Sequence, residues 1–221
     1  ISLAVVFFNA LSGSFAYSRM KRIDYKSGIM FAIATIPGSI FGSVTTSYVP
    51  RQLFNGIFGV ILVIVSIFLI VRTKKETIEK NVVIKKGYVT RTVIDIEGVK
   101  HTFSYNPLVG IIASVFVGLI SSFLGIGGGI IHVPVLINML NYPVHIATAT
   151  SHFVLAVMSL SGTAVHIADG VLQSSVIQTA ALSIGVLFGA QLGARLSEKI
   201  HGVTIIRSLA AALAIVGIRI F

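Results

Sequence analysis

Four glycines fall within five residues of one apolar stretch, which reads Leu124-Gly125-Ile126-Gly127-Gly128-Gly129-Ile130-Ile131-His132-Val133-Pro134. Each glycine destabilises a helix by about 1 kcal/mol, so the stretch predicts one helix that ends here and another that begins near Gly129. In a membrane, such a break is tolerated where the freed backbone is buried in protein or lines a cavity. Free amides at the start of the second helix would form an anion site without a charged side chain. Close helix packing through small residues is the alternative explanation.

The rest of the 221-residue chain is also strongly apolar. It is 55% hydrophobic and 11% charged, has no Cys and no Trp, and its mean hydropathy is +0.95. A soluble domain has about 25% charged residues, so this composition excludes a soluble enzyme, a secreted disulfide scaffold and a disordered chain. A spanning β-barrel alternates apolar and polar residues along its strands. The apolar runs of this chain are continuous, so they disfavour such a barrel. The composition therefore predicts an all-α polytopic membrane protein.

Apolar stretches separated by polar loops define the candidate helices, which are residues 1–17, 28–49, 53–71, 108–124, 130–140, 143–168, 174–196 and 203–221. A spanning helix needs about 20 residues, so the stretch 130–140 is too short to cross a membrane alone. Apolar and polar residues alternate in the second half of the polar segment 72–106, and Gly98 gives a turn signal there. This pattern predicts a β-hairpin outside the bilayer, with an irregular linker as the alternative.

Basic residues are concentrated in two loops. Of the 17 Lys and Arg residues, four lie within 19–26 and eight within 72–100. Basic loops beside apolar runs are typical of the cytoplasmic side of a membrane, so we expect a multi-pass cell-membrane protein whose segment 72–106 is cytoplasmic. The loops carry no interleaved aromatic residues, so no nucleic-acid partner is expected. The expected surroundings are the lipid bilayer and, in a homo-oligomer, further copies of the chain.

Two parts of the chain resemble each other. Residues 2–17 align with residues 151–166, and the segment 38–42 aligns with 185–189. Internal repeats of this size are typical of secondary transporters, so we divide the chain into a first transmembrane repeat (1–71), a linker (72–106) and a second repeat (107–221). Loop charge favours inverted repeats over parallel ones. The first repeat has no counterpart of 107–150, so we expect an N-terminal truncation of about 40 residues.

Polar residues near the start of the stretch 143–168 are expected to meet the glycine break near the bilayer midplane. Hydroxyl groups can donate to an oxyanion, and a histidine can bind an anion or titrate. Helix capping and a structural buried histidine are the alternatives. Ser2 aligns with Ser151 at an offset of 149 residues, so it is expected to approach the glycine break from the other repeat. The candidate substrate-binding residues are Gly125, Gly127, Gly128, Gly129, Thr150, Ser151, His152 and Ser2.

No acidic residue lies in the middle of a predicted span. The seven acids fall in loops or at span ends, so no carboxylate is available to carry a proton across the membrane. We therefore expect anion efflux driven by the membrane potential alone. No cofactor is expected and no metal site is predicted.

The segment from Gly125 to Leu136, followed by Ala147-Thr148-Ala149-Thr150-Ser151, resembles the second-repeat signature of the TauE/SafE family, the sulfite exporter and sulfonate-uptake-type permeases. The resemblance extends over nearly the whole chain. It implies export or exchange of sulfite, sulfonates or other small organic anions. The chain departs from the family pattern at His152, where a small apolar residue is more usual, and in lacking the glycine motif of the first repeat.

Two other functions are compatible with a polytopic membrane protein. A rhomboid-type intramembrane protease needs Gly-x-Ser-Gly, and Ser161-Gly162 lacks the first glycine. A membrane assembly subunit that transports nothing would need no helix break, so the glycine run disfavours it. Anion transport, without enzymatic activity, is the function that the sequence predicts.

Overall fold

The computed structural model describes residues 2–46, 48–72, 87–168, 176–198 and 200–220. These residues form eight helices and one two-stranded sheet. The helices are α1 (Ser2–Arg19), α2 (Tyr25–Thr46), α3 (Arg51–Arg72), α4 (Pro107–Leu124), α5 (Gly129–Met139), α6 (Val144–Ala168), α7 (Val176–Glu198) and α8 (Gly202–Ile220). Among the described helices, α2, α4, α6 and α7 each contain a stretch long and apolar enough to cross a membrane. The prediction of an all-α membrane fold is confirmed.

The glycine break lies where the sequence predicts it. Helix α4 ends at Leu124, and Gly125 follows in the left-handed conformation with a φ of 66°. Gly127 also has a positive φ, of 73°. Side chains with a Cβ rarely adopt such angles, so these two glycines permit the turn between the helices. Helix α5 then runs for 11 residues, which confirms the predicted short helix after the break.

The predicted β-hairpin is confirmed for the described part of the segment 72–106. Strand β1 (Val89–Ile94) pairs antiparallel with strand β2 (Lys100–Tyr105), and the turn contains Gly98 with a φ of 82°. The amide of Ile96 in this turn donates to the carbonyl of Met20 in the α1–α2 loop at 3.0 Å. The hairpin therefore packs on the loop ends of the helices.

The inner face of the hairpin reaches α2 through aromatic contacts. Tyr105 is buried, donates to the hydroxyl of Ser27 at 2.6 Å, and its ring meets that of Phe31 with the centroids 5.8 Å apart. Ser27, Phe31 and Thr35 are spaced four residues apart and so lie along one side of α2. This side of α2 connects the hairpin with the middle of the helix bundle.

Asp95 holds the hairpin turn together and gives a testable pH dependence. Burial acts to raise its pKa, but hydrogen bonds from His101 and the amide of Val99, with the charges of His101 and Arg22, outweigh burial and lower the pKa. A lowered pKa contributes stability above the unfolded-state pKa of about 4, and this contribution is lost as the pH falls. We expect Asp95→Asn to speed hydrogen exchange in residues 89–105 at neutral pH. The difference from the unmodified protein should persist down to about pH 4 and shrink as the pH falls further.

The matched control for this experiment is Glu97→Gln. Glu97 lies in the same turn but is exposed, and it contacts Asp95 through its backbone amide. Its side chain should therefore not affect exchange. Equal exchange rates for Asp95→Asn and the unmodified protein at neutral pH would show that the carboxylate does not hold the turn.

Helix contacts run between the two predicted repeats. Helix α2 packs on α4 and α6, α7 packs on α1, and α1 packs on α6. The repeat alignment pairs α1 with α6 and α2 with α7. The contacts of α2 with α6 and of α7 with α1 therefore join each helix of one repeat to the non-equivalent helix of the other, as two related halves would produce. The repeat boundaries and their inverted orientation stay predictions. The loop at Asp169 and residue Lys199, which contributed to that orientation, lie outside the described residues.

Candidate functional site

A small cavity lies beside the glycine break, where α2, α4, α5 and α6 meet. It is lined by Thr35, Val117, Gly128, His132, Ser151, Val154, Leu155 and Met158. Thr35 and Val117 come from the middle of α2 and α4, so the cavity lies at mid-depth in the helix bundle. Its walls are mostly apolar, and Thr35, His132 and Ser151 are the polar side chains in the lining.

Free backbone amides lie at the start of α5, where Gly128 lines this cavity. The amides of Gly127, Gly128, Gly129 and Ile130 donate to no other residue in the described ranges. They lie at the positive end of the helix dipole, which favours a negative charge. A Cβ on Gly128 would lie 3.2 Å from the sulfur of Met158, so glycine lets the backbone itself form the cavity wall.

Two polar side-chain atoms in the lining lack hydrogen-bond partners among the residues that the structure describes. Ser151 is fully buried and its Oγ is unpaired, while His132 is 1% exposed and its Nδ1 is unpaired. The Nε2 of His132 lies 3.4 Å from the Oγ of Ser114. A buried polar atom without a partner costs about 1–3 kcal/mol, and a bound ligand that pairs with it removes this cost. The arrangement can therefore bind a small oxyanion through hydroxyl and amide donors, with the ring of His132 beside them.

Several predicted site residues lie at the break. Ser151 and Gly128 line the cavity together. The Oγ of Ser2 is 2.7 Å from the position of a Cβ on Gly125, so α1 does approach the turn. A Cβ on Gly127 would meet Val6, also in α1, and a Cβ on Gly129 would meet Leu155. The role of all these residues in binding a substrate stays a prediction.

Thr150 and His152 do not line the cavity with Ser151. The Oγ1 of Thr150 accepts from the amide of Asp24 at 3.1 Å, and the ring of His152 meets that of Tyr17 with the centroids 5.3 Å apart. Consecutive residues of a helix point about 100° apart, so three neighbours face three different partners. Of the three side chains that were expected to converge on the break, only that of Ser151 lines the cavity.

His132, Thr35 and Ser114 complete the surroundings of the cavity, and the sequence-based candidates omitted them. His132 follows Gly129 by three residues, and this spacing places it on the side of α5 nearest the break. Thr35 and Ser114 carry no comparable signal, because they come from other helices whose rotation relative to α5 depends on packing.

Ser161 does not form the arrangement expected of a rhomboid-type nucleophile. Its Oγ donates to the carbonyl of Met158 at 2.7 Å and lies 3.1 Å from the hydroxyl of Ser39. Among the described residues, neither partner of Ser161 is a histidine that could act as a base.

Comparison with known proteins gives a consistent result along the chain. The model of the family described as "Sulfite exporter TauE/SafE" matches residues 1–220. The chain is 33% identical over 216 residues to the "Probable membrane transporter protein YunE" of Bacillus subtilis, covering 98% of this chain and 77% of that protein. It is 25% identical over 225 residues to a probable membrane transporter protein of Methanocaldococcus jannaschii, covering 98% of this chain and 76% of that protein. No solved structure matches.

Proposed function

Since the chain belongs to the sulfite exporter TauE/SafE family, we propose that this membrane transporter exports small anions of the sulfite, sulfonate or related organic-anion class. One observation carries the choice of substrate class. The unpaired Oγ of Ser151 and Nδ1 of His132 lie beside the free amides of α5, in a cavity at mid-depth of the bundle. We propose that this cavity is the substrate site.

Donors without a permanent charge suit a site that must also release its ligand. A fixed positive charge would hold an anion strongly, whereas hydroxyl and amide donors bind an oxyanion with moderate strength. Sulfite and sulfonate groups present several acceptor oxygens at once, which matches donors arriving from α5 and α6. We propose that the hairpin end of the bundle faces the cytoplasm of the cell, because Arg19, Lys21, Arg22 and Lys26 lie there.

The proposal is tested by thermal stabilisation of the purified protein with sulfite, thiosulfate, sulfoacetate and simple carboxylates. A ligand at 100 times its Kd adds about 2.7 kcal/mol, so at least one anion should raise the apparent Tm in a saturable way. Ser151→Ala should reduce this shift strongly, because it removes a donor from the cavity. If no anion in the panel stabilises the protein, the proposed substrate class is wrong.

Ser159→Ala is the matched control for this experiment. Ser159 lies on the same helix and is also fully buried, but its Oγ donates to the carbonyl of Leu155 at 2.6 Å and does not line the cavity. The control should keep the ligand-induced shift. An equal loss of the shift in both serine variants would mean that the cavity is not the binding site.

A further inference from the structure

The hydrogen bonds of Ser114 determine which nitrogen of His132 carries a hydrogen. The Oγ of Ser114 lies 2.7 Å from the carbonyl oxygen of Gly110 and 3.4 Å from Nε2 of His132. A hydroxyl group has one hydrogen, and a carbonyl oxygen can only accept, so Ser114 donates to Gly110. Ser114 must then accept from His132, which assigns the hydrogen of the neutral ring to Nε2.

This assignment leaves Nδ1 of neutral His132 with a lone pair. Nδ1 is buried and has no partner within the described part of the chain. Since Ser114 occupies Nε2, Nδ1 is the ring nitrogen left for a ligand in the cavity. A lone pair repels an anion. An anion can be bound beside Nδ1 only when that atom carries a proton, and the resulting imidazolium then donates from both nitrogens. Its positive charge also compensates the buried negative charge.

No other residue of the cavity lining changes charge near neutral pH. The groups that face His132 are Phe31 and Thr35 of α2, Ser114 and Val117 of α4, and Ser151 of α6. Helices α4 and α5 contain no Asp, Glu, Lys or Arg, and Lys26 of α2 lies in its first turn, away from the cavity. The other titratable residues of α6 are His145, His152 and His166, and none of them lines the cavity.

We infer that His132 binds one proton at Nδ1 together with each anion, so that anion and proton are carried as a pair. This inference rests on the proposed function and names its coupling ion. The proton enters from solvent, forms the Nδ1–H bond and leaves with the anion, and no other bond changes. Transport of a singly charged anion is then electroneutral. The expectation of potential-driven efflux rested on the absence of a carboxylate from the spans and named His152 or the missing N-terminal segment as the alternative carrier. His132 takes this role in place of either.

The test uses methanesulfonate, because its single charge stays constant between about pH 6 and about pH 8, so any pH dependence belongs to the protein. Its Kd is measured by calorimetry at both pH values, and proton uptake is followed with an indicator dye in weak buffer. Where His132 is neutral in the free protein and protonated in the complex, affinity should fall about tenfold per pH unit. Uptake should approach one proton per anion bound.

Three variants identify the group responsible. His132→Asn places a permanent amide donor near the Nδ1 position, so it should bind methanesulfonate equally at both pH values without proton uptake. Ser114→Ala removes the acceptor at Nε2 and lets the neutral ring carry its hydrogen on Nδ1, so the pH dependence should shrink. His201→Gln changes an exposed histidine in the α7–α8 loop and should behave as the unmodified protein.

The possible results separate the inference from the function on which it rests. Methanesulfonate binding with equal affinity at both pH values and no proton uptake would overturn the inference and leave anion transport standing. Proton uptake that persists in His132→Asn would also overturn it, because the carrier would be another group. If neither methanesulfonate nor any anion of the panel binds, the proposed function itself fails.

Discussion

Replacing Gly38 with Ala is expected to prevent α2 and α4 from packing and to cause a large loss of folded protein. A Cβ at this position would overlap the carbonyl oxygen of Val115 and lie 2.9 Å from the amide nitrogen of Leu119. These are backbone atoms, so the clash is relieved only by moving the helices apart. Overpacking costs about 1–3 kcal/mol and occasionally more, and we expect the upper end. Apparent Tm in detergent and the monodisperse fraction measure the effect.

The internal repeat supplies the control for this variant. Gly185 aligns with Gly38 at an offset of 147, and no atom of the described residues lies within 4 Å of a Cβ added there. Gly185→Ala should therefore be neutral or slightly stabilising, because alanine is the better helix former by about 1 kcal/mol. If both variants lose the same stability, close approach of α2 and α4 is not the cause.

Gly128→Val should abolish anion transport while the protein stays folded. Gly128 has φ −64° and ψ −17°, which any L-residue can adopt, so the backbone is not strained by the change. The added Cβ would meet the sulfur and terminal carbon of Met158 at 3.2 Å and 3.3 Å, and this flexible side chain can shift by a few tenths of an ångström. The remaining valine atoms would occupy the narrow cavity. Anion flux from proteoliposomes should fall to the level of empty liposomes.

Gly56→Val is the control for the valine substitution. Gly56 lies within α3, where an added Cβ meets no described atom within 4 Å, so this change also adds a valine to a helix but does not touch the cavity. Its flux should equal that of the unmodified protein. Transport by Gly128→Val at the unmodified rate would mean that the glycine run serves helix packing only.

The elements of this fold are encoded locally, which is why the sequence predicts them. The break after Leu124 follows from glycines that no helix accommodates easily, and the hairpin follows from alternation around Gly98. Both predictions use neighbouring residues only. Helix ends near the predicted ones follow from the length of each apolar run.

The candidate site was predicted less completely, because it depends on how helices are rotated against each other. Ser151 was identified together with Thr150 and His152, and only packing distinguishes the one that faces the cavity. Ser114 shows the same limit, since its contact with His132 spans 18 residues and two helices. Periodicity predicts that a helix has a buried side but not which neighbour that side meets.

Asp24 shows that position in a loop does not predict exposure. The sequence places it between two spans, and it does lie between α1 and α2, yet it is 6% exposed. Its carboxylate accepts hydrogen bonds from Ser27 and, at 3.1 Å, from Tyr142. Burial and the charge of Asp24 both raise the pKa of Tyr142, so this tyrosine stays a donor at neutral pH. The β-hairpin and the α5–α6 loop cover this region, and neither contact is visible from sequence.

The apolar lining of the cavity beside Gly128 also bears on the electrical tightness of the membrane. Val154, Leu155 and Met158 form the α6 side of this lining, next to Ser151. Protons cross proteins along chains of hydrogen-bonded water, and an apolar wall offers such water few partners. A site lined in this way therefore disfavours a proton leak through an idle copy of the protein.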